Sequence, residues 1–311
     1  MAALTYDEID AHVREKYIPV LIDQVYYSFP LYVRLTTKSR VVYDSGAKIN
    51  QPVLYGDLPG GSYSGLDTFD ISTRQTTTLA KWQWKFYYTD VTIDGPTMLK
   101  TEGTEKVLSL VESKMENASL TMKKLLTQDV FGDGTGNSGK AMDGLLNAIA
   151  VTGTYGEIAK GDFDWWEGQY DSTGGAFTLN MVQTQCGECT DGNIKPDLII
   201  TTQAIWNKFW ARVQPAQRYI SSKKNADLAQ IGFSGIEFND AVVVVDKYCP
   251  SGYIFILNTN FWKFVIHKDR DMSWTPPKTP IDQDAYVRQV LWAGNLVCQA
   301  PRWEGMISSV T

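Results

Sequence analysis

Across residues 40–93 the apolar side chains fall at every second position, and the run doubles back through a stretch rich in glycine, serine and aspartate. VVYDSGAKINQPVLY leads out, and LAKWQWKFYYTDVTI leads back with Trp82, Trp84, Phe86 and Tyr88 on one side and Lys81, Gln83 and Lys85 on the other. The connection GDLPGGSYSGLDTFD is turn chemistry, with Gly56, Pro59, Gly60, Gly61 and Gly65. This pattern predicts a long two-stranded ribbon with a glycine-rich tip. Two strands alone bury too little surface to be stable in water. The ribbon therefore needs another surface, and Leu54, Tyr55, Leu58, Tyr63, Leu66, Phe69, Trp82 and Trp84 are the side chains expected to meet it.

A second element has the same problem. Thr5 with Glu8 three positions on forms a capping box, which predicts a helix to about Tyr17, and Pro19 and Pro30 then interrupt the chain. The resulting arm is too thin to cover its own apolar row of Val20, Leu21, Val25, Tyr26 and Phe29. After Gly95-Pro96 the period changes to that of a helix. Val107, Val111, Met115, Ala118, Met122 and Leu125 line one face of a segment running from 97 to 131. At roughly 1.5 Å per residue this is a rod of about 45 Å, loosened near Gly103. FGDGTGNSG ends it.

The remainder alternates short elements. MDGLLNAIA and TLNMVQTQCGEC are helix candidates, followed by the buried-strand run PDLIITT and the helix QAIWNKFWARVQ. Strands in AVVVVDKYCPSGYIFILNT and FWKFVIH come next, then a proline-rich crossing and a final strand or strand pair in DAYVRQVLWAGNLVCQAPRWEGMI. No internal repeat is present.

Composition narrows the function. With 43% hydrophobic and 21% charged residues the chain is globular, and its net charge of −6 argues against a basic grip on nucleic acid. The first ten residues lack the basic and apolar segments of a secretion signal, and no run of 18 apolar residues occurs, so neither export nor a membrane span is expected. Four cysteines suit a reduced, cytoplasmic setting. Ten Trp, 16 Tyr and 12 Phe demand large buried surfaces, within one chain or between chains.

The motifs that could carry chemistry fail one by one. Residues 134–140 fit GxxxxGK, but Ala141 stands where a magnesium-binding hydroxyl belongs, and the segment leaves a helix instead of a strand. Asp129 and Asp133 suggest a calcium loop, yet Phe131 and Lys140 occupy ligand positions. Cys186 and Cys189 form a CxxC pair at a helix end, with Cys249, Cys298 and His267 as distant candidates for further ligands. His12 and His267 form no local triad with a nucleophile. Asp162 and Asp164 beside Trp165 and Trp166 imitate a sugar platform, for which a loop anchored by buried tryptophans is the plainer account. No catalytic residue, cofactor or metal is expected.

The order of parts does resemble something: the major capsid protein of tailed bacteriophages, of the Hong Kong 97 type. The resemblance is carried by LIDQVYYSFPLYVRL, VLYGDLPGGSYSGLDTFD, LTQDVFGDGTGN, KPDLIITTQAIWNKF and DQDAYVRQVLWAGNLVCQAPRWEG, in that order. It implies an α+β fold with an N-arm (1–37), an extended two-stranded E-loop (38–95), and a peripheral domain with a spine helix (96–190, the helix at about 97–131). An axial domain (191–280) and a C-terminal strand returning to the peripheral domain (281–311) would complete it. The apolar rows of arm and ribbon become inter-subunit contacts. By the same resemblance the chain is a non-enzymatic shell protein that self-assembles through hexamers and pentamers into an icosahedral head in the host cytoplasm. The head would enclose double-stranded DNA held by weak nonspecific contact. A portal, with scaffolding or decoration proteins, would be the other partners, and no membrane is involved.

Two departures from the family pattern stand out. The arm begins without the long scaffolding extension of some relatives, and although Lys48, Lys81 and Lys85 are present, the cross-link made by the E-loop lysine of others is carried over to none of them. An encapsulin-like compartment is the alternative reading, and a glycan-binding or carbohydrate-active protein built on Trp165 and Trp166 is the third.

Overall fold

The computed structural model describes residues 30–44, 46–100, 104–213 and 236–311. The expected N-terminal helix, and with it Val20, Leu21, Val25, Tyr26 and Phe29, lies outside them.

In chain order the elements are α1 (Pro30–Lys38), β1 (Arg40–Tyr43), β2 (Ile49–Leu54), β3 (Thr77–Trp82), β4 (Lys85–Asp94), α2 (Gly95–Lys100) and α3 (Thr104–Val130). Then come α4 (Leu145–Ile149), β5 (Thr154–Tyr155), β6 (Ile158–Ala159), β7 (Gln169–Asp171), α5 (Leu179–Glu188), β8 (Leu198–Thr201) and α6 (Gln203–Val213). The chain finishes with β9 (Ile236–Phe238), β10 (Ala241–Val245), β11 (Ile254–Leu257), β12 (Trp262–His267), β13 (Ser273–Trp274), β14 (Ala285–Cys298) and β15 (Gly305–Ile307).

Two sheets organise these elements. The first is built on β14, which pairs antiparallel with β4, β12 and β13, while β1 joins β12 in parallel. The second runs β7-β15-β11-β8-β10-β9. Thus β12, from segment 191–280, pairs with β1 and β14, and β7, from segment 96–190, pairs with β15.

The runs LII, AVVVV and IFIL are apolar throughout because the second sheet is covered on both faces. Leu198, Ile200, Val242, Val244, Phe255 and Leu257 face the larger core. Ile199, Val243, Ile254 and Ile256 face a smaller one closed by Val182 and Cys186 of α5 and Ile205 and Phe209 of α6.

The long helix differs in detail from its expected form. It is a 27-residue α3 preceded by the separate α2, and Gly103 lies outside the described residues. Its buried row is Ala118, Met122, Leu126 and Val130, whereas Leu125, assigned to that row by its spacing, is 37% exposed. From Met122 onward the helix faces the core at intervals of four, so the stripe passes to the next residue.

The ribbon also departs from a single long hairpin. Only β2 and β3 pair with each other, Ile49 opposite Trp82 through Leu54 opposite Thr77. Its flanks β1 and β4 belong to the first sheet. Gln83 and Trp84 break the returning strand, the Gln83 carbonyl accepting from Asn295 Nδ2 at 3.0 Å and the Trp84 indole donating to the Gly46 carbonyl at 2.8 Å. These partners replace ladder bonds and rotate the chain. Trp82 therefore points into the core while Phe86 and Tyr88 point to solvent.

Candidate assembly surface

The root of the ribbon is fixed by aromatic packing. Trp82, 2% exposed, lies edge-on to Tyr155, ring centroids 5.4 Å apart, and 6.5 Å from Trp166. Lys81 N–H donates to the Gly156 carbonyl at 2.9 Å. At the far end of β2, Tyr55 stacks on Trp165 at 5.0 Å and 14°.

The loop that receives the root has its own polar anchor. Lys160 is fully buried, and its Nζ donates to the carbonyls of Asn147, Ala148 and Ala150 at 2.6–2.7 Å, closing the C-terminal end of α4. Burial pulls the Lys160 ammonium down to about 8, although three charge-assisted hydrogen bonds favour the charged form. The loop around Trp165 and Trp166 is thus a socket for the ribbon. One face of Trp165 is occupied by Tyr55, and Trp166 is buried with its indole donating to the Tyr155 carbonyl, so the pair offers no open sugar platform.

Beyond the root the ribbon stops being a ladder. Tyr55 and Gly56 donate to the Thr76 carbonyl, and residues 57–75 then form no strand. Leu54, Leu58, Tyr63, Leu66, Phe69 and Ile71 are each at least 64% exposed, Leu66 completely. Tyr63 and Phe69 meet only each other, edge to face at 5.0 Å, among the ring contacts of the described residues. Burying these six would gain on the order of 10 kcal/mol in transfer free energy.

The residues expected to make contacts therefore divide. Leu54, Leu58, Tyr63, Leu66 and Phe69 are exposed on the ribbon. Tyr55 is half-buried on Trp165, and Trp84 is half-buried with its ring edge-on to His267 at 5.4 Å. Trp82 leaves the set, because its indole is enclosed by the chain's own core. Sequence reasoning did not select Ile71, Phe86 and Tyr88, the last two both 66% exposed. Their alternation was visible, but the break at Gln83 and Trp84 was not.

All four cysteines are free and buried, and burial pushes the Cys186 thiol up to about 11 and the other three further. The GxxxxGK segment leaves α3 and contains Asn137 and Ser138 in the left-handed backbone region. Among the described residues no group of His, Cys, Asp or Glu is placed to hold a metal ion, and no helix is long and apolar enough to cross a membrane.

Among the described residues Glu304 is a carboxyl held in the core. It is fully buried, and Oε2 accepts from the Asn258 N–H at 3.0 Å. Burial raises its pKa well above the usual carboxylate range, partly opposed by the hydrogen bond from that N–H.

Residues 75–311 match the family model described as SU10 major capsid protein. No curated protein matches the sequence. Among solved structures, a chain of the cyanophage A-1(L) capsid asymmetric unit aligns over 99% of both chains with a TM-score of 0.74 and 16% identity. A chain from the capsid of a native GTA particle aligns over 100% of both with a TM-score of 0.66 and 10% identity. The holo-SrpI encapsulin complex of Synechococcus elongatus aligns over 99% of this chain and 96% of that one, with a TM-score of 0.58 and 12% identity. At such identities these likenesses speak for the fold.

Proposed function

Because the chain belongs to the SU10 major capsid protein family and has the Hong Kong 97-type fold of phage shells, we propose that it works as repeated copies assembled through hexamers and pentamers into an icosahedral head around double-stranded DNA. The observation that carries this reading is the ribbon: a root clamped by Trp82, Tyr155 and Trp166, and a tip that leaves six large apolar side chains in water. None of the described residues of the same copy covers them, and patches of this kind mark protein contacts.

The subunit does no chemistry in this role. Portal, scaffolding and decoration proteins are its expected partners, the virion capsid its location and the host cytoplasm its site of assembly. The net charge of −6 keeps contact with packaged DNA weak and nonspecific.

Electron microscopy of the purified protein tests the reading directly, with closed particles as the expected result. Deleting residues 54–66 should leave a folded subunit that forms none. Normal particles from the deletion would remove the ribbon from its assigned role. An encapsulin also shares the fold, so the particle contents separate the two: nucleic acid supports the phage head, and a co-purifying enzyme the compartment.

A further inference from the structure

We infer that residues 57–75 of one copy add as a strand along the free edge of β4 in a neighbouring copy, with Phe86 and Tyr88 as the apolar face that receives them. The inference rests on the shell reading above and specifies its contact.

The tip lacks backbone partners as well as side-chain cover. Past the bonds to Thr76, the backbone pairing within 57–75 among the described residues is Asp67 N–H to the Ser64 carbonyl. Two further N–H groups, of Ser64 and Ser72, are held by Asp67 and Asp70 side chains. A segment with unpaired backbone and Leu58, Tyr63, Leu66, Phe69 and Ile71 exposed has what strand addition uses: main-chain bonds for affinity and alternate side chains for fit.

The receiving edge has the complementary property. The ten residues of β4 pair with β14 along one side, and no other strand joins β4 among the described residues. Val91 and Ile93 turn inward, whereas Phe86 and Tyr88 stand 66% exposed on the outer side. Natural edge strands are usually blunted by charge, proline or a bulge. Here the first outward charge after the two rings is Asp90.

Other edges fit less well. The tip is acidic, with Asp57, Asp67 and Asp70 against Arg74. Beside β7 stand Asp171 and Glu188, of the same sign as the tip, and β9 is three residues long and carries Glu237, with Asp240 next to it paired to Lys195. The β1 edge has Lys38 and Arg40 but is four residues long. At the Phe86 end of β4, Lys85 donates to the Gly139 carbonyl next to Lys140, so two cations lie there, while the strand's own carboxylates Asp90 and Asp94 stand towards its other end. Area is adequate: Tyr63, Phe69, Phe86 and Tyr88, at roughly 150–250 Å² each, come with the leucines to about the smallest specific interface of ~1,200 Å².

Connectivity adds a consequence. Donor tip and receiving edge are joined by β3 within one chain, and the clamp at Trp82 holds the root in place. Every copy thus gives a tip and accepts one, a head-to-tail contact that closes a ring when the rotation allows.

The test places Tyr88→Cys together with Tyr63→Cys, Leu66→Cys or Phe69→Cys in the full chain, whose own thiols are all buried. Oxidised particles should give a ladder of covalent multimers that collapses under reductant. Particles that form without a ladder from any pair, or a ladder obtained with Val42→Cys on β1 but not with Tyr88→Cys, would overturn the inference and leave the shell reading intact. Failure of the unsubstituted protein to form particles would instead sink the shell reading. Independently, Phe86→Ser with Tyr88→Ser should keep the thermal transition and lower particle yield at least tenfold, and an unchanged yield would count against strand addition.

Discussion

Trp82 lies directly against Gly156. A Cβ at Gly156 would sit 2.9 Å from the indole ring and 3.2 Å from Ala80, and its φ of +61° is in the region that favours glycine. The glycine is therefore part of the fit between ribbon and body.

Gly156→Ala should destabilise the subunit by about 1–3 kcal/mol, through the left-handed backbone and the overpacked ring. Thermal unfolding of a variant lacking residues 54–66 measures this without interference from assembly. A transition unchanged within error would show that the root tolerates the extra methyl group.

Lys160→Met would leave three carbonyls, that of Ala148 buried and those of Asn147 and Ala150 partly so, without their donor. The loss should be about 3 kcal/mol or more, because each charge-assisted bond contributes on the order of 1.5 kcal/mol. Denaturant titration reads it from the midpoint. Lys160→Arg should recover only part, since the planar fork cannot reproduce the convergence of three acceptors on one nitrogen.

Glu304 sets a pH dependence. Its folded pKa lies above the unfolded value near 4.5, so the folded state holds the extra proton. The stability this proton supplies is complete below about pH 4.5 and falls as pH rises through the folded pKa. Glu304→Gln, which stays neutral and can still accept from Asn258, should match the parent at pH 4 and exceed it at pH 8. Asp246, also raised by burial, contributes the same sign in both proteins and cancels in the comparison. Urea unfolding at the two pH values gives the result; equal differences would mean that Glu304 does not titrate in this range.

Leu66→Ser with Phe69→Ser should change subunit stability by less than about 0.5 kcal/mol, because neither side chain is buried in the single chain. Particle formation should nevertheless fall sharply by light scattering. A loss of folding would show that the tip packs on its own body.

The periodicities carried much of the architecture. Apolar runs at 198–201, 241–245 and 254–257 are central strands, and α4, α5 and α6 lie within the stretches expected to be helical. What could not be read was decided by distant partners. Asn295, more than two hundred residues away, supplies the bond that turns the chain at Gln83. That turn sends Trp82 inward and exposes Phe86 and Tyr88, although all three share one parity in the sequence. Alternation reports which residues share a face only while the strand stays unbroken. In the same way, Trp165 and Trp166 read as a loop anchor or a platform, and Tyr55, from another segment, together with the burial of Trp166 decides between them.

The ring packing at Trp82, Tyr155 and Trp166 also has a mechanical side. Close-packed aromatics compress very little. A push on the paired part of the ribbon, β2 and β3, is therefore transmitted to the body as a lever transmits load to its fulcrum, and not absorbed by bending at the root. In a closed lattice such stiffness would make the tilt of one copy felt by the next, so curvature would be set collectively and not copy by copy.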